Sequence, residues 1–185
     1  QFTEAFKGQK FDLALEFSNQ LLKSTKNQEW LEKATNFKAQ VMYQLEQFAD
    51  AILLCVEIKK CQRTKGIIFM RLNQFKQAQT IFDNIIAVGS PKEVCDATFL
   101  KCRLLFKQRK YQECVGVAKQ WENASQGFLK ERASLVSDLI EPISGVDMLL
   151  EVLRMEKSCY TSLNLAEDAQ IAKERLDHLI KLSKD

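Results

Sequence analysis

Apolar side chains recur along this chain at intervals of three and four, the spacing of one helix face, and no stretch of strand-like alternation survives. Leu13, Leu15, Phe17, Leu21 and Leu22 mark a helix over 12–24. After the polar turn Thr25-Lys26-Asn27-Gln28, Trp30, Leu31, Ala34, Ala39, Met42 and Leu45 mark a second over 28–45. A third is expected over 48–61, a fourth ending at Leu72, and a fifth over 76–88. Gly89-Ser90-Pro91 is the sharpest boundary: glycine can end one helix, serine can cap the next, and proline suits a first turn. Helices are then expected over 91–107, 111–122, 128–140, 146–163 and 165–183, separated at 123–127 and 141–145. The fold class is all-α.

Laid over these helices is a recurring phrase, an aromatic residue followed three positions later by a small one. It reads Phe11 to Ala14, Phe48 to Ala51, Phe75 to Ala78 and Tyr111 to Cys114, with a weaker fifth copy at Ala166 to Ala169. A small residue stands nine positions before the aromatic (Ala39, Gly66, Cys102), and a large apolar one six before it (Met42, Phe69, Leu105). Recurrence at this scale marks a repeat array, in which each unit buries its apolar face only against its neighbours.

These columns resemble the tetratricopeptide repeat family over about 6–121, and more weakly from Val146 onward, where Lys157 fills the small column and Ala166 the aromatic one. The resemblance implies an array of antiparallel helix pairs, at least eight helices in one domain spanning 1–185. Steps between aromatic positions are 37, 27, 36 and 55 residues, against about 34 in the family. The 27-residue step is short enough to suggest a stunted helix or residues missing near Gln62 and Arg63. The 55-residue step has room for an extra helix over 128–140.

The same resemblance places the first helix of each pair along a concave groove. Its lining would include Asn36, Phe37, Gln40 and Tyr43, then Met70 and Arg71, then Phe99, Arg103 and Phe106. Some members clamp a terminal carboxylate with Lys and Asn side chains, but Phe99 and Arg103 occupy half of the matching places here. An apolar, aromatic groove better suits a helical or extended apolar segment of a partner protein. The function expected is a protein–protein interaction scaffold, a subunit or arm of a multi-protein complex. The alternative is a helical repeat that binds RNA, for which Arg71, Phe99, Arg103 and Phe106 are a small match of basic and stacking groups.

Composition narrows the classes further. Only two prolines and six glycines interrupt 185 residues, which favours long helices joined by short turns. Net charge is +3, from 27 basic and 24 acidic residues that are mixed along the chain, so no nucleic-acid stripe stands out. Six cysteines include no Cys-x-x-Cys pair, and Cys55, Cys102 and Cys114 fall on expected buried faces. That pattern suits free thiols in a reducing compartment, cytoplasm or nucleus. His178 is the sole histidine, and the glycines form no phosphate loop, so neither a metal site, a cofactor nor an enzyme is expected. No run of about 18 apolar residues exists to span a membrane. The chain begins at Gln1 and reads as a piece of a longer protein.

Overall fold

The computed structural model describes residues 2–56, 58–125 and 145–182. Among these, the chain forms ten α-helices, one short 3-10 turn and no strand. The helices are α1 (Phe2–Lys7), α2 (Phe11–Ser24), α3 (Gln28–Gln44), α4 (Phe48–Leu54), α5 (Gln62–Arg71), α6 (Phe75–Val88), α7 (Pro91–Lys107), α8 (Tyr111–Ser125), α9 (Gly145–Ser162) and α10 (Ala166–Leu182). The 3-10 turn covers Lys59–Cys61. The extra helix expected over 128–140 lies outside the described residues.

Five turns join odd-numbered helices to even-numbered ones, and all five are built alike. The residue two ahead of the aromatic column is left-handed in each: Gln9, Glu46, Asn73, Arg109 and Asn164, with φ of 56–60°. The next N–H, from Lys10, Gln47, Gln74, Lys110 or Leu165, reaches back to the carbonyl of Ala5, Met42, Phe69, Leu105 or Tyr160 at 2.8–3.0 Å. The left-handed residue itself donates to the carbonyl three positions back at 2.9–3.2 Å. This pair of bonds is the Schellman arrangement, which satisfies the last carbonyls of a helix. The following helix starts at once: Ala14, Ala51, Ala78, Cys114 and Ala169 donate to the residues just after the left-handed ones at 2.9–3.2 Å. The weak fifth copy is therefore a hairpin like the others, despite Ala166 and Lys157.

The short step has a plain account. From Phe11 to Phe48 the chain uses helices of 14 and 17 residues. From Phe48 to Phe75 it uses helices of 7 and 10. Each is seven shorter, and a longer connection returns part of the difference. The expected third helix over 48–61 thus ends at Leu54, while α5 begins at Gln62 and runs unbroken through Arg63. The Gln62 side-chain amide donates to the carbonyls of Cys55 and Ile58, both at 3.3 Å, and ties the connection to α5.

The chain gathers into two compact units that divide within α6, after Ile81. In the first, α1 packs on α2, α2 on α3, and α3 on both α4 and α5. One core joins Ala5, Phe6, Ala14 and Val41, and another joins Ala39, Cys55 and Cys61. In the second, α7 packs on α8, α8 on α9, α9 on α10, and α7 on α9. Its interior holds Phe99, Leu100, Leu104, Leu105, Trp121 and Met148. At its entry, Ser90 and Glu93 form a reciprocal capping box with Pro91 in the first turn, as the Gly-Ser-Pro boundary leads one to expect.

The columns divide by size. Ala14, Ala39, Ala51, Ala78, Cys102 and Cys114 are wholly buried, where small side chains let backbones approach closely. The aromatic Phe11, Phe48, Phe75 and Tyr111 sit half-buried at the turns.

Candidate functional site

The residues expected to line a groove sort into three roles. Asn36, Gln40 and Phe99 are interior, at 6%, 0% and 1% exposure. Asn36 accepts from the Thr64 hydroxyl at 2.8 Å, a buried bond from α3 to α5. Thr64 carried no signal in the sequence; only its place facing α3 reveals it. Phe99 packs on Trp121 of α8, with ring centroids 6.2 Å apart.

A second group forms the edges of the hairpins. Tyr43 meets Phe48 edge-on at 5.8 Å, and Phe106 meets Tyr111 at 6.1 Å. Phe6 and Phe11 repeat the contact at 5.5 Å. In each pair the partners are five residues apart across the Schellman turn, an arrangement worth about 0.5–1.5 kcal/mol beyond area burial. Met70 holds the equivalent place on α5. Phe6 is buried, whereas Phe11, Tyr43, Phe48, Met70, Phe106 and Tyr111 remain half-buried.

The third group is charged. Arg103 of α7 binds Glu151 of α9 at 3.0 Å and lies 5.8 Å from the Phe99 ring centroid. The basic and aromatic groups named for RNA are thus partly turned on one another and on a carboxylate. Arg71 and Arg154 are exposed, and Phe37 is half-buried on α3. Near it, Lys33 stands 4.8 Å over the Trp30 ring and pairs with Glu29 at 2.8 Å. The Lys33 hydrogen bond and charge, joined by Lys60, hold the Glu29 carboxyl below its ordinary value.

The six cysteines are free and buried. Burial pushes the Cys95 thiol up to about 11. Burial likewise raises Cys102, and the hydrogen bond shared with Cys159, together with burial, raises Cys114. These are protonated, poorly nucleophilic thiols that serve as small apolar groups. Among the described residues no cluster of His, Cys, Asp and Glu could hold a metal ion, and no helix is long and apolar enough to cross a membrane.

The fold is that of tetratricopeptide-like helical-hairpin arrays. Solved structures similar to it include a kinesin light chain protein of Podosopora anserina with nearly identical TPR-like repeats, at TM-score 0.70 and 13% identity, covering 100% of this chain and 93% of that one. BtubC of P. vanneervenii aligns at TM-score 0.74 and 11% identity, over 97% and 77%. PlcR of Bacillus thuringiensis, solved in complex with the peptide PapR7 and DNA, aligns at 0.66 and 13%, over 100% and 70%. No family model matches the sequence, and neither does any curated relative.

Proposed function

We propose that this protein is an interaction scaffold that holds a helical or extended segment of a partner protein against the odd-numbered helices within a unit. The observation that carries this reading is a register. Tyr43, Met70 and Phe106 stand at the same place in α3, α5 and α7, each half-buried, and Arg71 stands exposed beside Met70. Half-buried aromatic and thioether groups at a repeated position offer anchors for apolar side chains, and such anchors carry much of the energy in small interfaces. PlcR, which has a similar fold and was solved in complex with the peptide PapR7 and DNA, supports the same reading by analogy. The proposal includes membership of a larger assembly in a reducing compartment.

The test is photo-crosslinking in the full-length protein captured with its partners. A crosslinking residue placed at Arg71, or at Arg154 in the second unit, should trap a partner polypeptide. Equally exposed positions on even-numbered helices, Lys23 and Lys173, serve as controls. Crosslinks that form only from the controls would overturn the assigned face.

A further inference from the structure

Glu156 of α9 is 2% exposed, and its Oε2 accepts no hydrogen bond. Arg175 of α10 lies 3.6 Å from that oxygen, while its other terminal nitrogen donates to Glu122 of α8 at 2.5 Å. One half-exposed arginine thus serves two carboxylates drawn from two different helices.

The repeat register explains how this came about. Ten positions before the turn column stand Lys38, Lys65 and Lys101, all half-buried, and then Glu156. Lys101 is answered by Asp83 of the preceding even-numbered helix at 2.6 Å. In the next hairpin the place of Asp83 is taken by Lys119, so the polarity is reversed. Lys119 is exposed, and its charge acts on Tyr160 as well as on Glu156. The other groups facing Glu156 are Cys102 from α7, Cys114 from α8, and Cys159 and Tyr160 from α9 itself, none of them a cation.

We propose that Glu156 is a proton-operated latch: protonated, it lets the α9–α10 hairpin seat on α8; ionised, it competes with Glu122 for Arg175 and loosens that seat. Burial first, and then repulsion from Glu122, push this carboxyl up to about 7, against opposing pulls from Arg175 and Lys119. The seated form therefore keeps a proton that the open form, with an ordinary value of 4.5, gives up. Seating is strongest below that ordinary value and is lost as pH rises through about 7.

Amide hydrogen exchange on the full chain between pH 5 and 8.5 tests the latch, with α7 as internal reference. Comparing Glu156→Gln with the unaltered protein at each pH cancels the intrinsic pH dependence of exchange. At pH 5, just above the ordinary value of the open form, the unaltered protein should open only about fourfold faster than Glu156→Gln. At pH 8 the α10 amides of the unaltered protein should open roughly tenfold or more faster than those of Glu156→Gln. Glu122→Gln, which keeps the buried carboxyl, should move the transition to lower pH, and Arg175→Gln should move it higher. The proposal is overturned if the ratio between the unaltered protein and Glu156→Gln is the same at every pH. It is equally overturned if Glu122→Gln and Arg175→Gln leave the transition where it is.

Discussion

Arg109 is held at φ 60°, and Gln9 and Glu46 at 56° and 59°. A non-glycine residue in this region carries a cost, about 1–2 kcal/mol for an ordinary side chain and less for Asn. The five turns thus run on three ordinary residues and two asparagines, with no glycine. The breaks after Leu45 and Lys107 were legible in the sequence, but the left-handed residue at Gln9, Glu46 or Arg109 was not: the usual glycine signal is absent, and only the shared backbone geometry shows the equivalence. Arg109→Gly should stabilise the fold by roughly 0.5–1 kcal/mol, the relief of strain less the entropy glycine adds to the unfolded chain. Arg109→Val should destabilise it. Urea unfolding checks both, and the reverse order would contradict the assigned turn. Phe99 makes a second point at this scale. The resemblance to the repeat family placed it on a groove, but it lies against Trp121 at 1% exposure. Columns carried over from a family cannot separate a groove wall from an interior one position away. Phe99→Ala should cost about 3–5 kcal/mol in stability, seen as a lower melting temperature. An unchanged melt with lost binding would return Phe99 to the surface.

Among elements, α7 was legible to the residue, Pro91–Lys107, because its start is fixed by a capping box whose parts are all in the sequence. Helix α4 was not. Ile52, Leu53, Leu54, Val56 and Ile58 continue an apolar run that periodicity reads as helix, yet the helix stops at Leu54. Leu53 and Val56 are left exposed at 70% and 52%. Helix α1 escaped notice because six residues are too few to display a period. The small columns were read correctly because they reflect packing between helices and need no exact boundaries. Ala39 shows the constraint: it is wholly buried against Cys55 and Cys61, with Leu54 and Ile58 alongside. Ala39→Leu should overpack this contact and cost about 1–3 kcal/mol. Thermal melting is the readout, and a variant as stable as the parent would mean the helices stand further apart than described.

For the whole molecule, the all-helical hairpin class followed from the sequence, because each repeat writes the same packing problem into the same columns. The partner-binding face did not follow as directly. Several residues that could have served a ligand instead hold consecutive odd-numbered helices together, Asn36 with Thr64 and Arg103 with Glu151. What remains is a face of half-covered rings with few exposed cations. Binding of a partner segment there should change by less than about tenfold between 50 and 200 mM salt, since few charges take part. An RNA ligand held by six or more phosphate contacts would lose about a thousandfold over the same range, and titration distinguishes them. All of this rests on the chain being five copies of one hairpin. Backbone chemical shifts of the isotopically labelled protein test that most directly. The account predicts a left-handed residue at Gln9, Glu46, Asn73, Arg109 and Asn164, each between two helical stretches. Helical shifts running unbroken through these positions, or extended shifts on either side of them, would contradict it.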